Sequence, residues 1–145
     1  MEQRLSTKED YLKRVNIVIE HINNHLDEDI DLEKLADIEH VAIYHDDPKV
    51  TEESKLRTDI CLALPKKAAP KGEIGVKTIE GGKYAMFLYT GSYEHLGAVY
   101  DTIYGKWLSE SGQRLRNYHC FEKYINNPDK TPPEKLKTEI YVPIE

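Results

Sequence analysis

An internal repeat is the feature of this sequence that most restricts its fold. Residues 44–64 recur, altered but recognisable, as residues 124–144, at a constant offset of 80. Each copy of such a repeat is a supersecondary unit that needs its neighbour to bury an apolar face. The sequence therefore predicts a pseudo-twofold domain. The residues identical in both copies are Tyr44 and Tyr124, Pro48 and Pro128, Thr51 and Thr131, Lys55 and Lys135, Leu56 and Leu136, Thr58 and Thr138, and Ile60 and Ile140.

Composition and charge fit one soluble domain. A chain of 145 residues buries roughly 70% of its unfolded surface in a single core. The sequence has no apolar run near the ~20 residues of a membrane helix and no signal-peptide stretch at its start. We therefore expect a cytoplasmic protein without a membrane partner. The net charge of −6 argues against a general nucleic-acid surface, which needs clustered Lys and Arg.

Hydrophobic periodicity predicts two long helices and five strands. The first helix covers residues 11–26, and the second begins at Ser92 and ends near Gly112. The segment 83–90 is apolar on both faces, which predicts a central strand. The other strands are expected at residues 41–44, 58–64, 119–125 and 137–144.

The offset of 80 also superimposes the first helix on the second, which predicts two related modules. A strand should precede the first helix near residues 3–10, but that segment is too polar for a central strand. The predicted fold class is therefore α+β: an antiparallel sheet with two long helices on one face, built from duplicated strand-helix-strand-strand modules of which the first is incomplete. The unpaired sheet edge that this leaves makes a homodimer possible.

Alternation along the strands predicts which side chains share a face. We expect Thr138, Ile140, Val142 and Ile144 to face the helices, together with Val41, Ile43, Phe121 and Ile125. The far face would then hold Glu122 among the rings of Tyr44, Tyr124 and Tyr141. A carboxylate among aromatic rings suits a lipophilic cation, because the rings supply apolar area and π faces while the acid supplies the counter-charge.

Several separate motifs carry a family resemblance across residues 40–145. They resemble the GyrI-like effector-binding domain, which implies a small-molecule ligand and a pocket-floor role for Glu122. Domain 39–145 is interpreted as this effector-binding unit. The motifs are Tyr44-His45-Asp46-Asp47-Pro48, Gly81-Gly82-Lys83-Tyr84-Ala85, Thr90-Gly91-Ser92-Tyr93-Glu94, Phe121-Glu122-Lys123-Tyr124 and Thr138-Glu139-Ile140-Tyr141-Val142-Pro143-Ile144.

The segment 1–38 resembles the start of an AraC-type helix-turn-helix. Its likeness lies in the helix from Tyr11 and in the Asp31-Leu32-Glu33-Lys34-Leu35-Ala36 segment. No recognition helix follows Ala36, so the segment has no element to place in the major groove. We expect a residual helical segment packed on the sheet, and no direct DNA binding by this chain alone.

The candidate ligand-binding residues each have a structural alternative. Glu122 can also be a solvated strand residue paired with Lys123, and Tyr44 and Tyr124 can simply pack on the sheet. Trp107, on the inner helix face, fits core packing as well as ligand contact, and Tyr93 at the helix start is more open to the ligand. Tyr141 completes the set. No catalytic residue, metal site or cofactor is predicted, because His21 and His25 have helical spacing but no third ligand.

Three functional classes remain open from the sequence. The leading one is binding of small amphipathic, cationic molecules by the effector domain of a truncated AraC-type regulator. The second, implied by the resemblance to GyrI-like proteins, is hydrolysis of strained small molecules, with Glu122 as general acid or base. The third is a protein-interaction module that resembles a gyrase inhibitor. Binding is favoured over catalysis, although no spacing in the sequence separates the two.

Overall fold

The computed structural model of the chain describes residues 39–47, 49–63, 69–70, 72 and 74–145. A helical run follows the third strand, with α1 (Leu96–Thr102), a π-helical turn (Ile103–Trp107) and α2 (Leu108–Ser111), here called together the long helix. The predicted helix at 11–26, the AraC-like segment and the missing strand near 3–10 lie outside the described residues. The strands are β1 (Glu39–Tyr44), β2 (Thr58–Ala63), β3 (Tyr84–Thr90), β4 (Phe121–Tyr124) and β5 (Lys137–Pro143).

The five strands form one antiparallel sheet in the order β2-β1-β4-β5-β3. The predicted α+β fold class with an antiparallel sheet is therefore confirmed. Within the described ranges one long helix accompanies the sheet. It packs on one face of the sheet, where Leu96 and Ile103 form a buried cluster with Ile140 and Val142 of β5.

The placement of β3 differs from the prediction. The strand lies at the edge of the sheet, where β5 is its neighbour, and not at the centre. Only one of its two apolar rows is covered, because Phe87 and Tyr89 pack against the core while Met86 and Leu88 are 50% and 58% exposed. Two apolar faces are typical of a central strand, but this pattern does not fix the position of a strand in the sheet.

The strands that lead into the two copies of the repeat, β1 and β4, pair with each other. Ala42 lies directly opposite Glu122, and these two positions are related by the offset of 80. The turns after these strands have matching geometry: the backbone N–H of Arg57 donates to Asp46 Oδ2, and that of Lys137 donates to Asn126 Oδ1, both at 2.8 Å. Equivalent sequence positions therefore adopt equivalent local structures around the β1–β4 pair.

The face predicted for β1 and β4 is wrong. Glu122 pairs with Ile140 across β4 and β5, so both side chains project from the same face of the sheet. That face is the one covered by the long helix, since Ile140 packs with Leu96. Phe121 and Tyr141, which also pair, project from the opposite face. The predicted carboxylate site therefore lies between sheet and helix and not on the far face.

No helix within the described ranges has the length and apolar character needed to span a lipid bilayer. The longest helical stretch there, the long helix, carries charged and polar side chains over much of its surface, including Asp101, Lys106 and Glu110.

Candidate functional site

A buried carboxylate lies at the centre of the sheet. Glu122 is in β4, between β1 and β5, and its residue is only 1% exposed. Glutamate is almost never fully buried unless its charge is compensated, because removal of an ionised carboxylate from water is costly. The side chains around Glu122 therefore have to supply polar contacts.

Three tyrosine hydroxyls supply these contacts, and they come from three different elements. Tyr124 of β4 donates to Glu122 Oε2 at 2.6 Å, and Tyr100 of α1 donates to Oε1 at 2.8 Å. Tyr44 of β1 donates to Oε2 at 3.2 Å, and its oxygen also lies 3.0 Å from the Tyr124 hydroxyl. We call Tyr44, Tyr100 and Tyr124 the tyrosine cluster. Both carboxylate oxygens are thus hydrogen-bonded.

The hydroxyl of Tyr44 has two hydrogen-bond acceptors within reach, Glu122 Oε2 and the Tyr124 oxygen. A phenol carries one proton, so Tyr44 can donate either to Glu122 or to Tyr124 but not to both. Its contact with the carboxylate is the longest of the three. Among the tyrosine cluster, Tyr44 is therefore the residue that can leave the carboxylate with the least loss.

The electrostatics keep these hydroxyls protonated. Burial raises the pKa of Tyr44, Tyr100 and Tyr124 well above the usual phenol range, and the negative charge of Glu122 raises the pKa of each further. Neutral phenols are the form that can donate a hydrogen bond to a carboxylate. The charge of Glu122 and the protonated state of the tyrosine cluster thus support each other.

The local sequence explains how Tyr100 reaches the sheet. Ser92 caps the start of the helical segment, where its Oγ accepts from the backbone N–H of Glu94 at 3.3 Å. The π-helical turn Ile103–Trp107 comes three residues after Tyr100, and such turns occur frequently at functional sites. The ring of Tyr100 lies parallel to that of Tyr104, with the centroids 6.2 Å apart, and its hydroxyl reaches β4 through the hydrogen bond to Glu122.

A fourth ring borders the site. Tyr93 is buried, and its ring meets that of Tyr124 edge to face, with the centroids 5.6 Å apart. Burial raises the pKa of Tyr93, and the charge of Glu122 raises it further. The structure thus brings four predicted residues together: Glu122, Tyr44, Tyr124 and Tyr93.

Two predicted site residues lie elsewhere. Tyr141 is on the opposite face, where its ring stacks on Phe121 at 4.6 Å and its hydroxyl donates to Glu139 at 2.6 Å. Trp107 packs edge-on against Phe87 of β3, two strands away from β4 in the sheet. Tyr141 was predicted beside Glu122 because the wrong face was assigned to β4. Tyr141 pairs with Phe121, and residues that pair across strands share a face.

Tyr100 is not among the residues that the sequence predicted for the site. The available signal was its position two helical turns after Tyr93, on the same face of the helix. Among the described residues, no group of three or more His, Cys, Asp and Glu side chains could hold a metal ion. His21 and His25 lie outside those residues.

Comparisons with known proteins show that the chain is similar to small-molecule binding domains. A family model described as a GyrI-like small molecule binding domain matches residues 1–145. The probable transcriptional regulator YgiV of Escherichia coli K12 is 30% identical over 101 residues, covering 68% of this chain and 62% of YgiV. The DNA gyrase inhibitor of Salmonella typhimurium LT2 is 25% identical over 119 residues, covering 80% of this chain and 76% of the inhibitor. The chain thus spans less than two thirds of the length of YgiV.

Proposed function

Because this chain belongs to the family of GyrI-like small molecule binding domains, we propose that it binds small amphipathic cations with the Glu122 carboxylate as their counter-charge. One observation carries the proposal: a carboxylate that is 1% exposed is held by three tyrosine hydroxyls in an aromatic setting. The ligand contacts that we propose are those of Glu122, Tyr44, Tyr124, Tyr93 and Tyr100.

The chemistry of this site favours a cation over a neutral molecule of the same shape. A buried carboxylate is stabilised when an opposite charge enters its low-dielectric surroundings. The tyrosine rings add apolar area and negative π faces, both of which attract an organic cation. A neutral ligand gains the apolar contacts alone, so we expect the charge to dominate selectivity.

Access to the carboxylate involves Tyr44 in this proposal. Its 3.2 Å contact with Glu122 is the longest in the tyrosine cluster, and its hydroxyl has Tyr124 as a second partner at 3.0 Å. Rotation of the Tyr44 O–H bond toward Tyr124 keeps one hydrogen bond and frees an acceptor position on Oε2, which a ligand cation would use after the Tyr44 ring has moved aside. Tyr100 and Tyr124 continue to orient the carboxylate.

The test is titration of a cationic fluorescent dye and of a neutral analogue against wild type and Glu122→Gln. We expect the substitution to weaken binding of the cation by at least about tenfold, equivalent to about 1.4 kcal/mol, and to leave the neutral analogue nearly unchanged. Glu139→Gln is the matched control, because Glu139 also accepts from a tyrosine hydroxyl but lies on the opposite face. Equal affinities of wild type and Glu122→Gln for the cation would sink the proposal.

We further propose that the chain takes part in transcriptional regulation without contacting DNA, as a truncated AraC-type regulator. The support is the likeness of residues 1–38 to the start of a helix-turn-helix and the similarity to a probable transcriptional regulator. Because the sequence predicts no recognition helix after Ala36 and carries a net charge of −6, the chain should give no shift of duplex DNA in gel electrophoresis below about 10 µM protein at physiological salt. Sub-micromolar DNA binding would contradict this expectation.

A further inference from the structure

The edge strand β3 has the sequence of a central strand. Tyr84–Thr90 contains seven residues, none of them charged and none of them proline. Exposed edges in natural proteins are usually short or carry charges, prolines or bulges that prevent pairing with another chain. Among the described residues β3 pairs with β5 alone. Within the part of the chain that the structure describes, this edge therefore has none of the usual protection against pairing.

Two backbone hydrogen bonds define which groups of β3 point outward. The N–H of Ile144 donates to the C=O of Lys83 at 3.0 Å, and the N–H of Gly91 donates to the C=O of Leu136 at 2.8 Å. In an antiparallel pair, hydrogen-bonded positions alternate along the strand, so the odd-numbered residues of β3 bond to β5. The backbone groups directed to the open side belong to Tyr84, Met86, Leu88 and Thr90.

These outward groups are self-complementary. If a second copy of β3 lies antiparallel and the symmetry axis passes through Phe87, Met86 lies opposite Leu88 of the second copy and Tyr84 lies opposite its Thr90. All of these positions direct their backbone groups to the open side, so each opposed pair can exchange two hydrogen bonds. Met86 and Leu88 are 50% and 58% exposed on the face away from the long helix, and the pairing would bring their side chains together.

The charges near this edge permit the pairing. No like charges oppose each other, because Tyr84–Thr90 is uncharged. The nearest acid on the same face is Glu139 of β5, which lies opposite Leu88 one strand further in. Three strand spacings of about 4.8 Å would separate the two copies of Glu139, more than the Debye length of about 8 Å at physiological salt. Repulsion between the copies is therefore largely screened.

We propose that two copies of this chain associate through their β3 edges into one continuous antiparallel sheet. The contact is limited to one strand pair and its side chains, which is smaller than the roughly 1,600 Å² of a standard stable interface. The dimer should therefore be weak, with a dissociation constant on the order of micromolar.

Sedimentation velocity over a concentration series tests the association. Wild type should shift from monomer to dimer below about 300 µM. Met86→Lys places a charge in the strand and should weaken dimerisation at least about tenfold. Val50→Lys is the control, because Val50 is also an exposed apolar residue but lies in a turn outside the sheet. A wild type that stays monomeric throughout, or equal dimer loss in both variants, would overturn the proposal.

Cysteine cross-linking tests the register. Met86→Cys and Leu88→Cys are made in a background that carries Cys61→Ser and Cys120→Ser, which removes both native thiols. After mild oxidation we expect a cross-linked dimer when the two variants are mixed, and little when either is oxidised alone. Efficient cross-linking of one variant with itself would contradict the register centred on Phe87. No cross-link in the mixture would contradict the β3 pairing itself. Circular dichroism confirms that each variant is folded.

Discussion

Replacement of Ile140 by alanine is expected to lower the free energy of unfolding by about 2–5 kcal/mol. Ile140 is 0% exposed and lies in β5, which is flanked by β4 and β3. Its side chain belongs to the buried cluster that joins the sheet to Leu96 and Ile103 of the long helix. The substitution removes apolar contacts and leaves a cavity that the flanking strands cannot easily close.

Urea unfolding measures this effect, and fluorescence of the single tryptophan is the signal. Trp107 packs against Phe87 and reports on contact between the long helix and the sheet. Ile125→Ala is the matched control, because the same side chain is 48% exposed there, and its loss should cost less than about 1 kcal/mol. Similar losses in the two variants would mean that Ile140 does not lie in the main core.

The repeat and the hydrophobic pattern allowed the positions of the strands to be anticipated, but not which strands pair. Positions related by the offset of 80 share local structure, as Asp46 and Asn126 do in the two turns. The repeat also drew attention to Ala42 and Glu122, which differ chemically and lie opposite each other in the sheet. Aligning the two halves of the chain at this offset identifies such a pair of positions, because both halves follow the same strand pattern.

The face of Glu122 could not be predicted, for a physical reason. Alternation relates residues within one strand, whereas the phase between strands depends on their register. In β1 the consecutive residues Val41, Ala42 and Ile43 are all buried, so both faces of this strand are covered. Hydrophobicity therefore gave no signal that Tyr44 and Glu122 project toward the long helix, where Tyr100 completes the set of hydroxyl donors.

The corrected face changes what ligand binding involves. On an open sheet face, a ligand would meet the carboxylate without disturbing the core. Between sheet and helix, Glu122 accepts a hydrogen bond from Tyr100 of α1. The ring of Tyr93 contacts Tyr124, and Tyr93 belongs to the same buried cluster as Leu96 and Ile140. In the proposed function, a cation that binds at Glu122 would therefore change how the long helix packs against the sheet.

A rise in pH from 10 to 11 is expected to lower the free energy of unfolding by about 3 kcal/mol through the tyrosine cluster alone. Burial and the charge of Glu122 raise the pKa of Tyr44, Tyr100 and Tyr124 above the usual value near 10. The unfolded chain then releases phenol protons that the folded chain retains. The stabilisation is present in full well below pH 10 and is lost as the pH rises toward the folded-state pKa values. The loss is about 1 kcal/mol per tyrosine from pH 10 to 11, and at most about 1.4 kcal/mol per tyrosine and pH unit above that.

Tyr100→Phe separates this effect from other alkaline titrations. The variant should lose about 1.5–3 kcal/mol at neutral pH, because it removes a hydrogen bond to a charged acceptor. Above pH 10, however, its free energy of unfolding should fall less steeply than that of wild type, by about 1 kcal/mol between pH 10 and 11. Urea unfolding of both proteins between about pH 8 and pH 11.5 spans the window that these pKa shifts define. Parallel pH profiles would show that Tyr100 titrates alike in the folded and unfolded chains, which is incompatible with a phenol buried against Glu122.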